Sequence, residues 1–475
     1  MRSSLNPLDV LHASLVAAGV GADTPLVVAF SGGLDSTALL FAACQLQADF
    51  GYHLQAVHVH HGLQPAADRW ADHCAAVAAS LAIPFICIRV QVPVGAGQGV
   101  EAAARKARYA ALATVAARHV LLAHHADDQA ETVLLALLRG AGPAGLSAMG
   151  DVSVPPSHPL RDTLLRPWLS LSREVLADWA QAQGLHWVED PSNQHSRFDR
   201  NFLRLEVLPL LARRFAGWRQ SLARSAAWNA EAQHLLGELA DLDRASFQAG
   251  SAWPDDPACL PGRVGEWRAL APARQRNLLR CLIQRRGLPL PPALRLQAWL
   301  DQLDAADDRL PLLVWQGCAL RRWSGRLWLE MAVPALPPQM PALRWDGVNA
   351  AEWSMPDGQV WQVVPWPEAG GSRLLPSASP SHPQPLLTHP LRVDCGPLEL
   401  RWGGGQGRLQ MHVGGPHRDL RKLFQEAGVP PWRRTSLPRL HAGRTLVAVP
   451  GIGTAPDWQA EWSAPGWQLT CRAGA

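Results

Sequence analysis

The stretch Leu26-Val-Val-Ala-Phe30, followed by Ser31-Gly-Gly-Leu-Asp-Ser-Thr37, constrains the N-terminal part of this chain more than any other. An apolar, β-branched run enters a turn of two glycines, and Asp35-Ser-Thr-Ala-Leu-Leu-Phe-Ala-Ala then opens as a helix. A strand leading into a Gly-rich loop and a helix N-terminus collects free backbone N–H groups and the positive end of a helix dipole, so it suits an anion. Gly32 and Gly33 have no Cβ and let the backbone approach a phosphate closely, while Ser31, Ser36 and Thr37 add hydroxyl donors. The loop is not a Walker A motif, which needs a Lys before its Ser/Thr, and it is not G-x-G-x-x-G. An ordinary capped turn would also show S-G-G; the buried-type strand before it and Asp35 in the first helical turn favour the anion.

Strand patterns at 54–60, 85–92 and 120–123 alternate with helix patterns at 68–81, 101–119 and 129–139, after a short amphipathic helix at 7–19. Such alternation argues a parallel sheet covered by helices on both faces, with the ligand beyond the carboxyl ends of the strands. Polar clusters follow Phe30, His60 and Ala123, where that rule wants them. Residues 164–168, a helix at 172–183 and a loop at 189–193 carry this α/β domain to about residue 215. Residues 216–332 read as a mainly helical middle domain, 333–390 as a Pro-rich linker, and 391–475 as a small α/β C-terminal domain.

The charge balance, 44 basic against 40 acidic residues, gives only +4 and does not announce nucleic acid. The eight cysteines form no C-x-x-C pair, which disfavours a zinc ribbon, a redox pair or a sequence-adjacent iron–sulfur site. Residues 1–21 lack the pattern of a secretion signal and no later stretch reaches membrane length without charges, so a cytoplasmic protein with no membrane partner is expected.

The second informative cluster is His124-His125-Ala-Asp127-Asp128-Gln-Ala-Glu131. With a helix starting near Ala126, Asp127 and Glu131 share a face, and Asp128 and Glu131 lie three apart. These carboxylates could bind Mg²⁺ beside a nucleotide or hold an incoming ammonium. With His58, His60 and His61 nearby, a metal-dependent hydrolase is a rival, and a capped helix with solvated acids is the plainer alternative. Arg105 and Arg108, beside Tyr109, either present guanidinium groups from one helix face or form a solvated charged face. The glycine loop at 139–145 is a C-cap or a loop that closes over a ligand. Arg200 and Arg204 face the same way if their segment is helical. Residues 417–434 read as an Arg-rich helix ending at a Gly-Val-Pro-Pro turn; such a helix can track phosphates and stack on a base, or have no such role.

In this order the blocks resemble the bacterial tRNA(Ile)-lysidine synthetase family, whose first motif is the S-G-G-x-D-S loop of the N-type ATP pyrophosphatase (PP-loop) superfamily. The resemblance runs nearly end to end, through Ser31–Thr37, 58–63, 101–109, 124–132, 139–147, 189–193, 200–204 and 421–432. It implies an adenine nucleotide alpha hydrolase-like fold, with ATP held by Ser31, Gly32, Gly33, Leu34, Asp35 and Ser36. It implies Mg²⁺ at Asp35 and Asp127, with Asp35 near the metal or the lysine. Asp128 and Glu131 match the family's lysine-binding carboxylates. Arg105 or Arg108, and Arg200 or Arg204, would hold the lysine carboxylate or the adenylate. The tRNA body would meet the middle domain and Arg421, Lys422, Trp432, Arg433 and Arg434; a homodimer stays open.

The implied reaction adenylates the ring-2 oxygen of the wobble cytidine in the CAU anticodon of tRNA(Ile), then lets the ε-amine of free L-lysine displace AMP. Decoding switches from AUG to AUA and tRNA identity from Met to Ile. A tRNA-thiolating enzyme would need cysteines for sulfur delivery, and another PP-loop ligase would leave the Arg-rich tail without a task. A non-catalytic RNA-binding module would not need Asp35, Asp128 and Glu131 intact.

Overall fold

The computed structural model describes residues 6–62, 64, 66–92, 100–153, 163–191, 195–247, 258–304, 309–331, 340–356, 359–366, 387, 389–403, 407–461 and 463–473. About half of the stretch expected as linker, and residues 63 and 192–193 of the motifs, lie outside them; the described part of that stretch forms the strands Leu343–Trp345, Ala351–Ser354 and Gln359–Trp366, the first and third of which pair with C-terminal strands. The chain divides into two compact units, Met1–Glu238 and Leu239–Ala475.

The first unit contains α1 (Pro7–Ala17), β1 (Pro25–Ala29), α2 (Leu34–Phe50), β2 (His53–His60), α3 (Ala67–Ser80), β3 (Phe85–Arg89), α4 (Val100–Leu112), β4 (His119–Leu121) and α5 (Ala126–Leu138). It continues with α6 (Pro143–Leu146), β5 (Val152–Ser153), β6 (Thr163–Leu165), α7 (Arg173–Ala182), α8 (Asp199–Phe202), α9 (Leu208–Arg214) and the start of α10 (Trp218–Ser246). The strands form one sheet of order β3-β2-β1-β4-β6-β5, parallel except for the β5 edge. The chain steps outward from β1 through β2 to β3, then crosses back to place β4 on the other side of β1. The crevice beyond the carboxyl ends of β1 and β4 is therefore the topological switch point, where doubly wound sheets bind ligands.

Period-two alternation explains why both faces are covered. Leu26, Val28 and Phe30 enter a core with Leu39, Trp168 and Leu176, whereas Val27 joins Val57, Val120, Leu122 and Leu112 on the opposite face. Trp168 is fully buried and its indole Nε1 donates to the Pro7 carbonyl at 3.0 Å, tying the turn after β6 to α1. Helix α4 stops at Leu112, earlier than the sequence pattern to residue 119 suggests. There the Thr114 hydroxyl donates to the Ala111 carbonyl at 2.8 Å, the kind of local bond that competes with a helix.

In the second unit α11 (Val264–Ala269), α12 (Pro272–Arg285) and α13 (Ala293–Leu300) pack on an antiparallel meander of β7 (Leu312–Trp315), β8 (Cys318–Trp323) and β9 (Arg326–Met331). Trp267, Trp299 and Leu320 fill that core. The C-terminal part is built on antiparallel strands, with the hairpin Arg408–Gln410 and His417–Asp419 followed by α14 (Leu420–Glu426) and α15 (Pro431–Arg434). The single helix expected over 417–434 is thus a strand and two short helices. His417 pairs with Gln410, the Asp419 carboxylate caps α14 by accepting from Arg421 N at 2.8 Å, and Gly428 at φ 66° turns the chain out of it.

Trp168→Ala should cost about 3–5 kcal/mol by opening a large cavity. Trp168→Phe should cost less, yet more than its volume change alone, because the Pro7 carbonyl loses its donor. Urea unfolding followed by far-UV circular dichroism checks both.

Candidate active site

Gly32 sits at φ 83°, and a Cβ there would lie 2.8 Å from Cys74 Sγ, so backbone conformation and space both demand glycine. Its carbonyl accepts from Val188 N at 2.9 Å, which pins the loop from the side. Ser36 Oγ closes the turn: it accepts from Ser31 N at 3.2 Å, lies 3.0 Å from Ser31 Oγ and donates to the Gly33 carbonyl at 3.1 Å. Gly33 caps α2 without a side chain, so the first-turn N–H groups around Leu34, Asp35 and Ser36 are left for an anion. Asp35 Oδ1 is buried there without a partner.

Across the switch point, α5 begins with a reciprocal cap. His125 N donates to Asp128 Oδ2 at 3.1 Å, and Asp128 N donates to His125 Nδ1 at 3.3 Å. That leaves His125 Nε2 facing Asp35 Oδ2 at 3.7 Å and Asp128 Oδ2 at 3.4 Å. Burial works to lower the His125 pKa, but the bond to Asp35 and the charges of Asp128, Asp35 and Asp127 outweigh it and raise it. For Asp128 burial pushes upward, while His125, Arg200 and His124 hold the carboxyl below its ordinary value. His124 is driven down to about 3, first by burial and then, against the pull of Asp128, by Arg166, Arg105 and Arg200. His61 falls to about 4 by burial and the nearby Arg108 charge.

Glu131 has no exposed surface. Arg200 Nε donates to its Oε2 at 2.6 Å, and Arg204 donates to Oε1 through Nε at 2.7 Å and to Oε2 through Nη2 at 3.1 Å. The same guanidinium groups reach Asp128 Oδ1 at 3.2 and 3.3 Å. Arg200 lies in α8 and Arg204 in a π-helical turn, Leu203–Val207, that links α8 to α9; π-turns often mark functional sites. Asp127 looks elsewhere. Its Oδ1 accepts from Arg219 Nε at 2.7 Å and its Oδ2 from Arg173 N at 2.9 Å. Both of its oxygens are thus engaged by arginine residues, whereas Asp35 Oδ1 is not engaged.

Arg105 and Arg108 lie on α4, close enough for their charges to bear on His124 and on His58 and His61; the Arg105 guanidinium lies 5.1 Å from the Tyr109 ring centre. The glycine loop after α5 forms the short helix α6, and beyond it the Gln129 amide brackets the backbone of Met149 at 2.7 and 3.0 Å. His58 Nδ1 lies 2.9 Å from the Phe30 carbonyl and His60 Nε2 lies 3.3 Å from Asp68 Oδ1. Among the described residues no three His, Cys, Asp or Glu side chains converge as metal ligands. Arg166, His125, Arg173 and Arg219 were not picked out as site residues from the sequence. Arg166 is buried at the end of β6, and its Nη1 donates to the Gly150 carbonyl and Ser153 Oγ at 2.9 Å each. Only His125, inside its motif, carried a sequence signal.

Family models match three segments: a PP-loop domain at residues 13–211, a TilS substrate binding domain at 263–328 and a TilS substrate C-terminal domain at 398–471. A tRNA(Ile)-lysidine synthase of Alkalilimnicola ehrlichii is 42% identical over 449 residues, 94% of this chain and 92% of that protein. The chain belongs to the tRNA(Ile)-lysidine synthase family. Lysidine synthases of Ralstonia nicotianae and Pseudomonas aeruginosa are each 41% identical, covering 94% and 92% of this chain and 92% and 93% of their own.

The C-terminal residues expected to meet RNA fall inside the third family match but differ in surroundings. Trp432 Nε1 donates to Glu330 Oε2 at 2.7 Å and Arg433 Nε to Glu330 Oε1 at 2.6 Å, so both bind β9. Trp432 also stands edge-on to Trp323 and Trp328 at 6.0 and 6.1 Å, with the Arg321 guanidinium over its ring at 4.7 Å. Arg434 Nε donates to the Val429 carbonyl at 2.9 Å. Arg421 and Lys422 are exposed.

Glu131→Gln should lower stability by about 3 kcal/mol, the lower end of the cost of stranding buried charges, because both arginines keep some water. Denaturant midpoints check it. His124 and His61 titrate near 6.5 when unfolded and near 3 and 4 when folded. Between those values the unfolded chain binds more protons, so stability falls as pH drops below about 6.5. His124→Asn should flatten that acid-side loss in urea titrations at pH 7.5, 6 and 5.

Proposed function

We infer that this chain consumes ATP to join free L-lysine to ring position 2 of the wobble cytidine in the CAU anticodon of tRNA(Ile). AMP and diphosphate are released, and decoding changes from AUG to AUA. Family membership supports the reaction. The observation that carries its assignment to residues is the meeting, at one switch-point crevice, of an open phosphate loop with the buried cluster of Asp128, Glu131, Arg200 and Arg204.

In the first step the cytidine O2 attacks the α-phosphorus of ATP, and the bond to diphosphate breaks. The first-turn N–H groups of α2 and the hydroxyls of Ser31 and Ser36 bind the phosphates. Asp35, with a buried unpartnered oxygen beside the loop, suits Mg²⁺, which binds through one or two carboxylates plus substrate phosphates. When bound, that ion would neutralise phosphate charge. Asp127 already spends both oxygens on Arg219 and Arg173 N.

In the second step the lysine ε-nitrogen, having shed a proton, forms a bond to C2 while the C2–O bond breaks and AMP departs. Cytosine O2 is a poor leaving group; esterified to AMP it is a good one. Asp128 and Glu131 already face guanidinium groups, and a free lysine brings both charges with it. Its ammonium can take a share of Asp128 while its carboxylate takes Arg200 or Arg204, so the buried cluster keeps its charge balance. Arg105 and Arg108 add positive potential for the adenylate. The C-terminal part and the middle helices hold the tRNA through phosphate contacts that position the anticodon.

Labelled lysine should enter bulk tRNA only with ATP and should survive mild alkali, which strips aminoacyl esters but not a C–N bond. Active protein that transfers no label to a pool containing unmodified substrate would discard lysine as the nucleophile. Asp35→Ala should abolish incorporation and leave tRNA retention on filters nearly intact.

A further inference from the structure

The antiparallel meander β7–β9 has two unlike faces. Period-two alternation sends Cys318, Leu320, Leu327 and Leu329 into the core beneath the middle helices and turns Arg321, Trp323, Trp328 and Glu330 to the opposite side. That second face meets α15 of the C-terminal part. Glu330 uses both carboxylate oxygens there: Oε2 accepts from Trp432 Nε1 at 2.7 Å, and Oε1 accepts from Arg433 Nε at 2.6 Å and lies 2.5 Å from its Nη2. Trp328 faces away from the helices yet is buried, with the Trp432 ring 6.1 Å away and the Arg433 guanidinium 5.4 Å from its ring centre. Helix α15 is itself held firmly. Pro430 and Pro431 restrict the backbone at its start, and Arg434 Nε donates to the Val429 carbonyl at 2.9 Å with its guanidinium 6.0 Å from the Phe424 ring. Phe424 is fully buried in the core that α14 shares with Leu409 and Leu446, so the hold on α15 passes to α14 and to the hairpins that carry those leucines.

Two parts of a chain move against each other by default unless something specific holds them. A carboxylate whose two oxygens are both taken by charge-assisted donors, among aromatic rings set edge to face, is such a hold. We propose that Glu330 is a positioning residue for the tRNA: it touches no substrate, but locks α15 onto the meander and so keeps the RNA-contacting surface of the C-terminal part at a set spacing from the middle domain. Trp432 and Arg433 then serve the tRNA only through Glu330. A set spacing lets the second contact form without a search, which raises affinity with no new contact to the RNA. The proposal rests on the lysidine reading, in which both parts hold one tRNA.

The test is filter binding of full-length tRNA(Ile), with lysine-incorporation kinetics on the same tRNA, for Glu330→Ala, Arg433→Ala and the double variant. Glu330→Ala should weaken tRNA binding and raise the KM for tRNA roughly tenfold, because contacts that are no longer pre-spaced lose effective concentration. At saturating tRNA its kcat should stay within about twofold of wild type, since the loss is one of uniform binding. The direction is diagnostic: removing an acid that merely stood near RNA would tighten binding. The double variant should bind no worse than Glu330→Ala, because Arg433 acts through that carboxylate and the two losses are not additive. Glu330→Gln keeps an acceptor for Trp432 Nε1 and should lose less; it carries the comparison if Glu330→Ala fails to fold by far-UV circular dichroism. Losses that multiply in the double variant would put Arg433 on the RNA itself and overturn the proposal. Wild-type tRNA affinity in both Glu330 variants, or a fall in kcat with KM unchanged, would overturn it too. If the wild type binds tRNA but incorporates no lysine, the lysidine reading falls, and the binding constants alone still decide the role of Glu330.

Discussion

A carboxylate without any exposed surface survives only if cations meet it, and Glu131 is met by two. Burying one charge unpaired costs several kcal/mol, so α5 and the α8–α9 segment are obliged to stay together once Glu131 is inside. That obligation fixes Asp128 beside His125, and His125 beside Asp35 on the far side of the switch point. The phosphate loop and the charged cluster are thereby held as one site although they come from separate crossovers of the sheet.

The sheet supplies the frame. Strand β1 is fully flanked, by β2 and β4, and its apolar side chains alternate between two cores, so its carboxyl end cannot drift. The loop that follows has little freedom: Gly32 is boxed in by Cys74, and its carbonyl is tied to Val188. A rigid loop with unused N–H groups binds an anion without first losing entropy, which is what pre-organisation means in physical terms.

In the second unit the same economy of charge works differently. Glu330 of β9 collects Trp432 and Arg433 of α15, and the Trp323, Trp328 and Trp432 rings pack edge to face around that bond. Residues whose composition suggests nucleic-acid contact thus join two segments of the protein to each other. Arg408, Arg421 and Arg444, on two hairpins and at the start of α14, line an open cavity instead.

The order of strands and helices in the first unit, the glycine loop and the carboxylates of α5 were legible in the sequence because each rests on short-range rules. Period-two burial, glycine conformation and first-turn capping act within a few residues. What α5's acids touch was not legible. Asp127 and Glu131 share a helical face by spacing, yet one meets Arg219 and the other Arg200 and Arg204, because those partners come from positions about seventy to ninety residues away. The same holds for Arg421 and Trp432, similar in sequence context but divided by tertiary packing: one lines an open cavity and the other bonds Glu330. Local rules tell which side chains a chain can present; only the folded arrangement decides which charges neutralise one another and which are left for a ligand.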